Sequence, residues 1–243
     1  GGPVGIINAD FIKSVDFSNG YTLLGKNGWQ SYQTGVAFYG DINNAKNPFK
    51  YFVGVTNGNS RGTENDSDKS KHAYLRFEKD FKNNLKFGVN GGIGSFTNKT
   101  GDVIGGDIEK TFTINKKWSF EVISEYKEGT NFSEFSTTKL SPKPEMKDFR
   151  FRNFYVNPII RYNLNSPRLR SIEFSSRYEY LNPNYQLDGN VRKTITPMLN
   201  LEFADQYFAC LQIGAMIDDY KKNVALTSEY DHTTLFAQVQ VRF

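Results

Sequence analysis

The sequence predicts an all-β protein, an antiparallel transmembrane β-barrel of about twelve strands. Three observations lead there. Side chains alternate with a period of two along nearly the whole chain. The connections between the alternating runs are themselves alternately long and short. Aromatic residues make up 15%, with 21 Phe and 14 Tyr, although apolar residues reach only 38%. A soluble core has little use for so many rings beside so few aliphatic side chains, whereas a membrane barrel places rings at both interfaces and keeps its lumen and loops polar. The mean hydropathy of −0.56 therefore speaks only against a helical membrane protein. No run of about 18 apolar residues is present to form a membrane-spanning helix or an uncleaved signal sequence.

The last strand is the clearest. Leu235, Ala237, Val239, Val241 and Phe243 alternate with Thr234, Phe236, Gln238, Gln240 and Arg242. Moving back, the same alternation marks Ala209–Ile217, Ile195–Phe203, Ile172–Tyr180, Phe154–Tyr162 and Trp118–Tyr126. Earlier strands are expected at Ile104–Ile114, Leu85–Ile93, His72–Lys79, Phe49–Val55 and Tyr32–Tyr39. Pro158 and Pro197 fall within two of these runs, and because proline removes a ladder donor a bulge is expected at each.

The connections set the topology. Asp218–His232, Leu181–Asn190, Glu128–Lys147 and Asn57–Lys71 are long; Ala204–Tyr207, Asn165–Arg168, Asn115–Lys117 and Asp80–Asn84 are short. Only Thr97–Gly101 is shorter than its place in the series suggests. Short turns on one rim and long polar loops on the other are the layout of an outer-membrane barrel. With the last strand ending at a periplasmic rim on Phe243, the long loops fall outside the cell. The terminal aromatic resembles the signal read by barrel-assembly machinery, an expected partner beside outer-membrane lipid. The chain reads as one domain over 1–243, with 1–31 a poorly defined first strand and extracellular loop that shows no helical periodicity. Since single-chain bacterial barrels have even strand counts, either Gly1–Asp10 supplies a twelfth strand or the chain is the C-terminal part of a larger barrel.

Gly35-Val36-Ala37-Phe38-Tyr39-Gly40 is followed by Phe49-Lys50-Tyr51-Phe52-Val53-Gly54-Val55-Thr56-Asn57-Gly58. This pair of runs resembles the porin O and P family of outer-membrane barrels, the phosphate-selective porins, locally over about residues 2–94. Gly2-Pro3-Val4-Gly5, Phe11-Ile12-Lys13 and Arg76 within Tyr74-Leu75-Arg76-Phe77 are similar to further stretches of the family. The resemblance implies a porin fold and passive solute transport, and it implies that strands preceding this region in the family are absent here.

If the apolar rows face lipid, the opposite rows line a pore. The pore-lining candidates are Arg76, Lys86, Glu121, Glu125, Arg161, Glu173, Arg177, Arg192, Glu202 and Arg242, with Glu78, Asp107, Glu109, Lys127 and Glu179 on the same rows. Acids and bases are nearly balanced, so the phosphate selectivity of the family name does not transfer, since anion selectivity needs a net positive ladder. Most of these charges are expected to pair across strands; Arg161, Arg177 and Arg192 are the candidates for one side of an aqueous path, with Arg177 and Arg192 at similar depth. Gly88, Gly92, Gly94, Gly105 and Gly106 fall on two adjacent strands, where small residues let the wall curve or an inner element pack closely.

Other chemistries find little support. The net charge of +4 is spread without a basic stripe, which argues against nucleic acid. Cys210 is the only cysteine, faces inward by parity and has no partner for a disulfide. His232 near Ser228 and Asp231, and His72 near Ser70 and Asp68, sit at loop–strand junctions where Ser and Asp are common turn residues. No enzyme, cofactor or metal site is expected. Three functions compete: a porin-like channel for small polar solutes or ions, a non-conducting barrel subunit or scaffold of an outer-membrane complex, and an autotransporter translocator, which calls for a helix threading the pore ahead of the first strand.

Overall fold

The computed structural model describes residues 18–27, 29, 34–42, 49–57, 71–96, 99–164, 166–204 and 207–241. Among these, eleven strands form one antiparallel sheet in strict sequence order, each pairing only with its neighbours in the chain. They are β1 (Gly35–Ile42), β2 (Phe49–Thr56), β3 (His72–Phe81), β4 (Leu85–Phe96), β5 (Lys99–Thr113) and β6 (Trp118–Thr130). The second half holds β7 (Arg150–Asn163), β8 (Ser171–Asn182), β9 (Arg192–Ala204), β10 (Ala209–Tyr220) and β11 (His232–Val241). Every strand expected from the alternation is present. The expected strand in Gly1–Asp10, and the terminal residues Arg242 and Phe243, lie outside the described residues.

The connections sort as the sequence indicates. The chain crosses between strands through 57–71, 131–149, 183–191 and 221–231 on one rim, and through 82–84, 114–117, 164–170 and 205–208 on the other. The exception on the first rim is tighter than expected, since β4 and β5 extend until only 97–98 separate them. All odd-numbered strands consequently run from the long-loop rim to the short-turn rim.

The two faces of the sheet have inverted polarity. Outward residues are apolar and exposed: Ile104 is 52% exposed, Phe174 54% and Leu235 80%. Inward residues are polar and buried, with Asn153, Glu179 and Gln212 at 0%. Rings gather on the outer face at two levels. Near the short turns, Trp118 packs on Tyr162 at 4.7 Å between centroids and Phe112 on Phe120 at 6.0 Å. Nearer the long loops stand Tyr126, Phe154 and Tyr178, on adjacent strands. Trp118 to Tyr126 is about 27 Å of extended chain.

The prolines are accommodated without bulges. The β7–β8 ladder runs to Val156–Tyr178 and resumes at Ile159–Ser175 in the same register, and β8–β9 passes straight through Ser176–Pro197. Only the rungs beside each proline are omitted, on β8 for Pro158 and on β10 for Pro197. Losing a donor cost a rung, not the register. The one register shift on β9–β10 lies at Ala209/Cys210, beside the turn.

A helix, α1 (Asn19–Lys26), precedes β1, where no helical periodicity is visible in the sequence. It is short and contains two glycines, so the apolar stripe reduces to Leu23 and Leu24. Its start is set by Ser18, whose hydroxyl accepts from the Tyr21 N–H at 3.1 Å. The helix lies on the inner face against β7, β8 and β9. A second helix, α2 (Phe132–Thr137), and a 3₁₀ turn at Met146–Asp148 fold back from the 131–149 connection. Leu24, Trp29, Tyr74, Val103, Phe132, Met146 and Phe151 form one apolar cluster that joins α1 and α2 to β3, β5 and β7 near the long-loop rim.

Candidate functional site

The inner face is built of charges that satisfy one another across strands. Arg76 on β3 reaches over β4 to Asp107 on β5, with Nη1–Oδ2 at 2.5 Å and Nη2–Oδ1 at 3.0 Å, and also meets Glu78 at 3.1 Å. Gly88 on the intervening strand makes this possible, because a Cβ there would lie 2.4 Å from the Arg76 guanidinium. Gly92 does the same for Trp29, whose ring would sit 3.2 Å from an added Cβ. The glycine pair of strands thus seats an inner element, as their composition suggests.

At the short-turn end one arginine serves two carboxylates. Arg161 bonds Glu173 at 2.8 Å and also contacts Glu202. Tyr207 OH shares the Glu173 oxygen bonded by Arg161 and Asn200 Nδ2 donates to the other; on Glu202, Ser171 Oγ shares the Arg161-bonded oxygen and the Tyr207 N–H donates to the other, these Tyr207, Asn200 and Ser171 bonds all at 2.6–2.8 Å. Higher up, Glu125 pairs with Lys127, both 1% exposed at the side chain, and Arg177 lies 3.7 Å from Glu179. Arg192 forks onto Asp218 at 2.7 and 2.8 Å, and His232 and Thr194 bond the same carboxylate. The outer members are looser: Lys86 meets Glu109 at 3.5 Å, and Glu121 accepts from Thr111 at 3.4 Å.

The structure therefore brings Arg161, Glu173 and Glu202 into one cluster and distributes the other candidates over separate pairs; Arg242 lies outside the described residues. The expected common depth of Arg177 and Arg192 is not found. Arg177 stands opposite Thr196 and Arg192 opposite Leu181, so the register separates them by four residues, about 13 Å along the strands. Arg161, Arg177 and Arg192 instead climb the wall as three levels.

Sequence reasoning missed Asp218, Asn153 and Thr194. The signal for Asp218 was present, since alternation carried one residue beyond Ile217 turns it inward. The neutral pair carries no charge to draw attention, and its importance comes from α1, which docks there.

The described residues do not fill the inner face evenly. Parts of it from β3 to β9 are covered by α1, Trp29 and the apolar cluster. At the short-turn end of β1–β3 a cleft of about 420 Å³ remains, lined by Tyr39, Asp41, Lys50, Phe52, Arg76 and Glu78. Lys50 is held in it by Asp80 at 2.9 Å and Glu78 at 3.7 Å. The inner row of β11, with Thr234, Gln238 and Gln240, also remains partly exposed.

No protein-family model matches this chain, and no curated protein matches it. The site must be read from its own chemistry. His232 sits between Asp218 and the Tyr230 carbonyl, and His72 lies 3.2 Å from the Tyr74 hydroxyl under the Trp29 ring. Ser70 and Asp68 are outside the described residues. Cys210 is buried on the inner face, where parity puts it.

Proposed function

We propose that this chain forms the wall and constriction of an outer-membrane β-barrel that passes small polar solutes or ions by diffusion. The inverted polarity of the sheet carries the reading. A face of exposed Ile, Leu, Val and Phe opposite a face of buried Glu, Arg and Asn is unfavourable in water and favourable in lipid. The sorted loops and the two levels of rings support the same setting, with long loops outside the cell, the last strand at the periplasmic rim and assembly by the barrel-folding machinery.

The conduction path we assign follows the sector that the described residues leave open, past Asp41, Lys50 and Glu78 and the inner row of β11. Acidic and basic groups alternate there, so the path discriminates little between anions and cations. A second reading, a non-conducting barrel that serves as a subunit or scaffold, draws support from the apolar cluster across the long-loop side. An autotransporter fits less well. A helix does precede β1, yet eight residues span only about 12 Å, half of an apolar band of about 25 Å.

Planar-bilayer recording on the purified chain separates the readings. Small, stable steps with a reversal potential near zero in a salt gradient are expected for the channel. Strong anion selectivity would contradict the balanced path, and a silent bilayer would favour the scaffold.

A further inference from the structure

α1 and Trp29 lie on the inner face and are fastened by different chemistry at the two ends. At the first end the attachments among the described residues are polar. The Gly20 N–H donates to Glu179 Oε1 at 3.2 Å, which places a buried carboxylate at the positive end of α1. The Asn19 amide donates to Thr194 Oγ1 at 2.8 Å. Asn153 donates to the same Glu179 oxygen at 3.3 Å and to the Tyr180 carbonyl at 3.2 Å, which fixes its side chain against the helix. Contact this close requires glycine: a Cβ on residue 20 would lie 2.1 Å from Asn153 Oδ1.

At the other end the attachments are mainly apolar. Trp29 stacks on Phe132 at 5.8 Å and on His72 at 4.5 Å, and Leu24 is buried in the same cluster. The Asn27 side chain adds one tie, accepting from the Ser133 N–H of α2 at 2.8 Å.

We propose that α1 is a displaceable plug of the lumen, latched on Glu179 and Thr194, seated against Asn153 and hinged at its Trp29 end. Water can replace each bond of the polar latch, whereas the apolar seat must stay dry to hold. An eight-residue helix has little stability of its own, so leaving the wall also permits it to unwind. Release would uncover Arg177, Glu179, Thr194 and the Asp218 network, and would widen the path from the β1–β3 sector across to β9. The inference rests on the inner face being a lumen, and does not require that the lumen conduct.

The test uses the full chain in lipid, with Cys210→Ala and Ser18→Cys as a reporter at the buried start of α1; every arm shares this loss of the Ser18 hydroxyl cap, so rates are read relative to that reference. Thiol-labelling rate and single-channel current are read together. Adding Gly20→Ala, which favours helix in isolation but collides with Asn153, should raise the labelling rate at least tenfold. Adding Asn153→Ala to that variant removes the colliding atoms and should bring the rate back to within about threefold of the reference. A higher rate with larger or more frequent current steps supports both plug and channel. A higher rate in a silent bilayer supports the plug and overturns the channel. A rate unchanged by Gly20→Ala, in protein that still shows heat-modifiable migration, overturns the plug whatever the current does.

Discussion

At the scale of single residues, the wall is held by pairs that are costly to halve. Arg76 and Asp107 are both more than nine-tenths buried. Removing one partner of such a pair strands the other in a poorly solvated place, while removing both relieves that penalty. Asp107→Ala should lower stability by about 3 kcal/mol, and Arg76→Ala/Asp107→Ala should cost less than the sum of the single changes. Urea titration in detergent, followed by heat-modifiable migration, provides the cycle; strict additivity would mean the pair is not coupled. Asp231 offers a test in the 221–231 loop. The Tyr220 N–H at 2.7 Å and the Asn223 amide at 3.1 Å hold its carboxyl below the usual range. A lowered folded value stabilises the loop above the ordinary carboxylate range and loses that contribution as pH falls through the lowered value. Proteolysis within 221–231 should thus be slow at neutral pH and accelerate in acid, and Asp231→Ala should be cleaved quickly at both.

At the scale of elements, the strands declare themselves and the inward pieces do not. β7 to β11 each alternate cleanly because one face is apolar and exposed and the other polar and buried, so period two is written into the residue types. α1 has no such contrast: its helix is fixed by Ser18, Glu179 and Asn153, and the last two lie more than a hundred residues away in sequence. The prolines show the same limit. Residue type announces a missing donor at Pro158, but the neighbouring ladders decide that a rung is dropped and register kept. The inner charges were legible as pairs in kind, since both signs share the rows, and illegible in partner, since Arg76 reaches Asp107 only across Gly88. The apolar cluster gives the element-scale prediction. Phe151 is wholly buried at the start of β7 against α1 and α2, so Phe151→Ala should cost about 3–5 kcal/mol. Trp29→Ala should loosen the plug and leave the strands' unfolding midpoint nearly unchanged. Urea unfolding monitored by strand circular dichroism distinguishes the two, and equal losses would mean that the plug and the wall unfold as one unit.

At the scale of the whole molecule, strand direction constrains closure. β1 and β11 both run from the long-loop rim to the short-turn rim, so direct pairing between them would be parallel. An antiparallel barrel containing this sheet needs an odd number of further strands between those edges. The exposed outer rows there, with Phe38 at 67% and Val239 at 72%, have the residue types of lipid-facing wall. The account as a whole depends on which side of the sheet meets lipid. A spin-label scan along β10, from Leu211 to Asp218 in reconstituted vesicles with Cys210→Ala as background, reads this directly through collision with oxygen, which concentrates in the bilayer. High oxygen accessibility at Leu211, Ile213 and Ile217, alternating with low values at Gln212 and Asp218, is the predicted result. Absence of a two-residue period, or a period with Gln212 and Asp218 in lipid, would contradict it.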